Sequence, residues 1–209
     1  MKARTGWLLA FSLAVGLPVW AGSQEAGEEP GKAEIGKPAP EFTLEGLDGK
    51  EYKLADFKDK IVVLEWINHE CPVVNRCYKA GTMKSTIAKF KDKPVVWLAI
   101  DSSHFAEEKA ETIKKWIGEQ GIEHAYLLDA PGKVGKAFDA KTTPHMFVID
   151  QKGILAYTGA IDNDPYGNEP NKINYVEQAI QALLDGSTVA TATTKSYGCT
   201  VKFKPTAGG

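Results

Sequence analysis

Apolar positions divide the chain into short runs of two kinds. Ile61-Val62-Val63-Leu64-Glu65-Trp66-Ile67 is nearly continuous, and so is Val95-Val96-Trp97-Leu98-Ala99-Ile100. Runs of that length without alternation predict strands covered on both faces. Phe42-Thr43-Leu44 and Glu51-Tyr52-Lys53-Leu54 flank Leu47-Asp48-Gly49-Lys50. Met146 to Ile149 and Ile154 to Tyr157 flank Asp150-Gln151-Lys152-Gly153 in the same way. Both arrangements read as hairpins. Ala125 to Leu128 is a further short strand. The spacing predicts helices over Pro72 to Phe90, Ala106 to Gln120, Val134 to Phe138 and Ile173 to Leu184. In the second, Ile113, Trp116 and Ile117 share one face; in the last, Val176, Ile180, Leu183 and Leu184 do, with Gly186 just past the end. Strands alternating with helices require a central sheet covered on both faces, and the closing hairpin makes that sheet mixed. The fold class is therefore α/β, and there is no internal repeat.

The two ends differ from this middle. Lys2 and Arg4 precede an apolar run from Trp7 to Trp20, and Val19-Trp20-Ala21 offers a small-residue cleavage site. Residues 1–21 thus read as a cleaved secretory signal. The apolar run contains Gly16 and Pro18 and falls short of the ~20 residues that span a bilayer, so the mature form has no stable membrane span. No Cys follows the run to accept a lipid. Residues 22–37 are rich in Glu, Gly and Pro and read as a flexible leader. Residues 38–186 suit one domain with one core. Residues 187–209 form a Thr-, Lys- and Gly-rich tail that carries Cys199. The expected location is periplasmic or secreted.

Charge narrows the partners. The chain has 25 Lys and Arg against 27 Asp and Glu, and cleavage after Ala21 would remove two of the bases. Nucleic acid calls for a concentrated basic patch, so it is not an expected partner.

The chemistry centres on three cysteines, Cys71, Cys77 and Cys199. Disulfides persist in an exported protein, and an odd count leaves one thiol over. Cys71 falls where a strand ends and a helix begins, and Pro72 suits the first helical position. A sulfur there faces free N–H groups and the positive end of the helix dipole, which favours the nucleophilic thiolate. Glu70 opposes this slightly. In a regular helix Cys71 and Cys77 sit ~9 Å apart along the axis, whereas a disulfide needs Cα atoms within ~7 Å. Cys199, on the tail beside Gly198, is therefore the expected resolving partner. The alternative is a fixed Cys77–Cys199 staple that leaves Cys71 free.

The strand running into Cys71-Pro72 and a helix, followed much later by Thr142-Thr143-Pro144 and another strand, resembles the thioredoxin-like superfamily. The hairpin at the start and Ile35-Gly36-Lys37-Pro38-Ala39-Pro40-Glu41-Phe42 resemble its redoxin and thiol-specific-antioxidant (AhpC/TSA-type) branch. Cys71-Pro72-Val73-Val74 and Tyr197-Gly198-Cys199-Thr200-Val201-Lys202 are similar to an exported subgroup with those two motifs. The resemblance implies a thioredoxin-like fold with an extra N-terminal β-hairpin. It implies a thiol:disulfide oxidoreductase with Cys71 as nucleophile, needing no cofactor or metal. Its partners would be protein thiols and disulfides or a thioredoxin-like reductant. It also implies that Glu65 is a buried acid that moves protons, and that Pro144 is a cis-proline facing Cys71. Thr143, Pro144, Asn68 and Trp66 would then contact substrate, with the Thr143 backbone pairing an extended partner chain. His69 and His145 could border the same site.

Val74 stands where the usual second cysteine of a Cys-x-x-Cys pair would be. Three rival functions remain. A peroxidase of this branch resembles a Thr-x-x-Cys pattern with a downstream Arg; here Asn68 holds the Thr position and Arg76 is the last Arg in the chain. A Sco-like copper carrier would use Cys71, Cys77 and His145, at a Cys-x5-Cys spacing that differs from that family's. A non-catalytic binding module would use its thiols only as staples.

Overall fold

The computed structural model describes Met1 and residues 31–205. The expected signal segment after Met1, and the leader up to residue 30, lie outside the described residues. The main sheet has seven strands in the order β2-β1-β5-β4-β3-β7-β8. Its centre is β3 (Ile61–Trp66), β4 (Val95–Asp101) and β5 (Ala125–Leu128), all parallel. The N-terminal hairpin β1 (Thr43–Gly46) and β2 (Glu51–Lys53) adds to one edge through an antiparallel β1–β5 pairing. At the other edge β7 (His145–Ile149) lies antiparallel to β3, and β8 (Leu155–Gly159) antiparallel to β7. The sheet is mixed, as the sequence predicts.

Every residue of β3 is buried, and the period of two sends alternate side chains to opposite faces. Ile61, Val63 and Ile67 pack with Cys71, Val74, Tyr78, Ile113, Trp116 and Ile180. Val62, Leu64 and Trp66 pack on the other side with Phe42, Phe138 and Phe147. The first face is covered by α1 (Pro72–Lys79), α2 (Thr82–Lys89), α3 (Ala110–Gln120) and α5 (Tyr175–Leu184). The second is covered by α4 (Lys133–Ala137) and the segment leading into the N-terminal hairpin.

Three boundaries depart from the expectation. The single helix over Pro72 to Phe90 is broken at Gly81, whose φ of 79° lies in the left-handed region. Glycine adopts that geometry without a Cβ penalty, and the apolar pattern continues across the break. The helix predicted from Ala106 starts at Ala110, after a turn. The last helix starts at Tyr175, because the Asn174 side chain accepts the Glu177 N–H and caps it.

The described segments flanking the domain, residues 31–37 and 187–205, are docked on it. In the stretch expected to be a flexible leader, the Ala33 N–H donates to Ala137 O and the Gly36 N–H to Leu155 O. The tail returns along β8: the Thr158 N–H donates to Ala192 O and the Thr194 N–H to Thr158 O, each at 3.0 Å. It then forms β9 (Cys199–Thr200), antiparallel to β6 (Thr142–Thr143), with Thr143 opposite Cys199.

Candidate active site

β3 delivers the chain to a tight connection before α1. The Asn68 side-chain oxygen accepts the Glu70 N–H at 2.7 Å and its carbonyl accepts the Cys71 N–H at 3.0 Å. The Asn68 amide also donates to Ser103 Oγ at 2.7 Å. From inside α1, the Asn75 amide donates to His69 O and Cys71 O, while Asn75 Oδ1 accepts from Trp116 Nε1. These bonds hold Cys71 as the N-cap residue of α1, with Pro72 at the first helical position.

Cys71 is buried, 3% exposed, and its Sγ lies 2.9 Å from Thr143 O and 3.0 Å from Cys199 Sγ. The Thr143–Pro144 peptide bond is cis. Burial alone would raise the Cys71 pKa. The Cys199 thiol, the Thr143 side chain and the N–H groups of Val74 and Cys199 outweigh it, so the net shift is downward. The partner moves the opposite way: burial, and next the bond to Cys71, push Cys199 up to about 11. The pair is thus polarised, one sulfur favoured as thiolate and its neighbour as the thiol that stabilises it.

Cys77 lies elsewhere. It is buried in the core on the helix side, where burial pushes its thiol up to about 11, in reach of Arg76, Asp162, Glu65 and Tyr197. Of the three thiols, Cys71 and Cys199 are the two that lie within 3.0 Å of each other.

Glu65 is fully buried on the same face as Cys71. Its Oε2 accepts from Trp97 Nε1 at 2.9 Å and Tyr78 Oη at 3.0 Å, while Oε1 has no partner. Burial raises its pKa to about 7 against those two bonds. No hydrogen bond joins it directly to Cys71 among the described residues.

The remaining candidates divide. Thr143 and Pro144 stand at the sulfur, but Trp66 does not. It points to the opposite face, fully buried between Phe138 and Phe147, with Nε1 donating to Ser102 Oγ at 3.0 Å. The unbroken apolar run hid which residues of β3 face α1, and Trp66, expected to contact substrate, is fully buried on the face away from Cys71. Asn68 shapes the connection rather than the surface. His145 also lies on the far face: Nδ1 accepts the Lys141 N–H and Nε2 pairs with Thr158 Oγ1, each at 3.2 Å. Its ring packs tilted against Phe147, and among the described residues Cys71, Cys77 and His145 do not come together as a metal-ligand set. His69 stays in the connection, its pKa lowered by burial. Arg76 donates to the carbonyls of Asp164 and Pro165. Asn75, which sequence reasoning did not single out, holds both sides of Cys71 in place; a polar residue four positions past a helix-starting cysteine was the available signal.

A reactive-type cysteine capping a helix, beside a cis-proline loop on a mixed sheet, defines a thioredoxin-like thiol protein with a redoxin hairpin. The sequence matches the AhpC/TSA family over residues 35–158, and the chain belongs to that family. Among curated relatives it is similar to the thiol-disulfide oxidoreductase ResA of Bacillus cereus (strain ATCC 10987 / NRS 248). That match is 31% identical over 146 residues, 70% of this chain and 79% of the relative. Among solved structures it is similar to an uncharacterized conserved protein from Geobacillus kaustophilus, with TM-score 0.73 and 31% identity over 86% of this chain and 97% of that one. The hypothetical protein SMc02350 from Sinorhizobium meliloti 1021 matches with TM-score 0.73 and 28% identity, over 85% and 98%. The expected fold and the expected class, an oxidoreductase of redoxin type, are both met.

Proposed function

We propose that the protein is an exported thiol:disulfide oxidoreductase in which Cys71 and Cys199 form the redox pair. The observation that carries this reading is the 3.0 Å approach of the two sulfurs at the start of α1. The Cys71 thiolate attacks one sulfur of a substrate disulfide, and the other leaves as a thiolate that takes up a proton. Cys199 then loses its proton and attacks Cys71 Sγ. The bond between Cys71 and the substrate breaks, the substrate leaves as a dithiol, and the enzyme holds a Cys71–Cys199 disulfide. A protein dithiol or thioredoxin-like reductant returns the pair to its starting state. The direction of net flow follows the potentials of the two partners.

The polarisation of the pair suits this order. In the dithiol, Cys199 stabilises Cys71 as nucleophile. Burial contributes most to the raised Cys199 pKa and persists, but once Cys71 is tied up in a mixed disulfide the further contribution of the Cys71 thiolate is gone, and Cys199 ionises more easily. In this reading Glu65, whose pKa burial raises to about 7, exchanges protons with the cysteine pair through a bridging water. Thr143 and Pro144 position the substrate sulfur. Export rests on the sequence of residues 1–21, and N-terminal sequencing of the protein recovered from outside the cytoplasm tests it.

The reaction is tested with single substitutions and a protein disulfide substrate. Cys199→Ser should stop at a mixed disulfide trapped on Cys71, and Cys77→Ser should turn over like wild type. Full turnover in Cys199→Ser would remove Cys199 from the cycle.

A further inference from the structure

The edge at which a partner chain would dock is already taken. β6 precedes Pro144, and its backbone groups are the natural place for an extended peptide to add as a strand beside Cys71. In the structure β9 pairs there, with Thr143 opposite Cys199 and Thr142 opposite Thr200. Gly198 makes this approach possible: with φ at 126°, a Cβ on it would lie 2.1 Å from Thr143 O. A strand edge pairs with one strand at a time, so the tail and an extended substrate exclude each other.

The tail is held on both sides of that contact. Upstream, the Ala160 N–H donates to Thr194 Oγ1 at 2.9 Å and the Tyr197 hydroxyl donates to Asp162. Downstream, the Val201 N–H donates to Lys141 O at 3.1 Å and the His104 N–H to Lys202 O at 2.9 Å. Beyond them the Phe203 ring covers Gly132 and Gly135, where a Cβ on either glycine would come within 2.7 Å of it. A tail whose only task was to carry a resolving sulfur would need freedom to reach, whereas this one is buttoned at both ends over Cys71, a residue only 3% exposed.

We propose that residues 194–203 act as an intramolecular pseudosubstrate, a strap that occupies the peptide-docking edge and sets the enzyme's selectivity against extended polypeptide thiols and disulfides. The inference rests on the assignment of Cys71 as nucleophile. Polypeptide substrates react only from the state in which β9 has left β6. A small disulfide needs only a local gap at Cys71 and not the whole strand edge, so its reaction depends less on release of the strap than that of an extended chain. The two-residue β6–β9 pairing is short enough to open locally, and the Phe203 button sets how often it does.

The test uses the Cys199→Ser protein, which stops at the first exchange, and two probes activated with thionitrobenzoate. One is an extended peptide of about eight residues with a central activated cysteine, long enough to add as a strand. The other is the activated cysteine alone. In each case the Cys71 thiolate attacks the cysteine sulfur, a new Cys71–cysteine disulfide forms, and the coloured thionitrobenzoate anion leaves with the electron pair of the broken S–S bond. Phe203→Ala in this background should raise the peptide rate about tenfold relative to the small probe, as a matching gain in the open population would. A chain ending at Lys202 should do the same, which guards against a fault peculiar to the substitution. An unchanged ratio of peptide to small-probe rates in both variants overturns the strap. Failure of Cys71 to react with either probe overturns instead the assignment of the nucleophile.

Discussion

Replacing Glu65 by Gln should make the protein more stable at alkaline pH and leave it nearly unchanged in acid. In the unfolded chain this carboxyl ionises near its ordinary value of 4.5; in the folded protein burial holds the proton until about 7. Between those values the folded state binds more protons than the unfolded one, so stability falls as the pH rises through the window. Below 4.5 both states are protonated and nothing is lost, and above 7 both are ionised and the whole penalty is present. At ~1.36 kcal/mol per pKa unit, the shift corresponds to about 3 kcal/mol. Gln keeps the acceptor for Tyr78 and Trp97, so the geometry around Oε2 survives. Asp101 and Asp129 are also raised by burial, but both proteins contain them and their effects cancel in the difference. Urea unfolding of the two reduced proteins at pH 4.5 and about pH 8 reads the difference directly. A gap that opens by several kcal/mol toward alkaline pH is the expected result. A gap that stays constant across the range would mean that Glu65 is not held protonated by its surroundings, and would remove it as a proton carrier.

Other outcomes follow from the same geometry. In the reduced protein, iodoacetamide should modify Cys71 at least ~10-fold faster than Cys77 at neutral pH, because only Cys71 has its pKa lowered at a helix start; equal rates by mass spectrometry would contradict the site. Trp66→Phe should lower stability by about 1–3 kcal/mol through the lost Ser102 bond and the void, with Cys71 alkylation unchanged; a slowed Cys71 would restore Trp66 to the site. Arg76 spends its guanidinium on two backbone carbonyls, so Arg76→Gln should not alter the rate of hydrogen peroxide consumption; a fast, Arg76-dependent reaction would favour the peroxidase reading.

The order of strands and helices was legible because each buried strand is a compact apolar run and each hairpin carries its own turn residues. Cys71 was legible because Pro72 marks a helix start. What the sequence concealed was direction and distance. β3 is apolar on both faces, so nothing in it tells that Glu65 looks toward α1 and Trp66 away. The break at Gly81 is one glycine inside an uninterrupted apolar pattern, a position where helices also tolerate glycine. The docking of the tail depends on a handful of contacts, from Thr194, Tyr197, Gly198 and Phe203, made to partners more than 30 residues away in the chain. Its composition reads as loose because few of its residues are apolar, while its backbone bonds, which composition does not register, hold it in place.

The central claim is that Cys71 and Cys199 are one redox pair. Mild oxidation of the mature protein, alkylation of the remaining thiols and peptide mapping without reduction test it most directly. The account predicts a single linked species joining the peptides of Cys71 and Cys199, with Cys77 recovered as a free thiol that labels only after unfolding. A Cys77–Cys199 or Cys71–Cys77 linked peptide as the main product would contradict it.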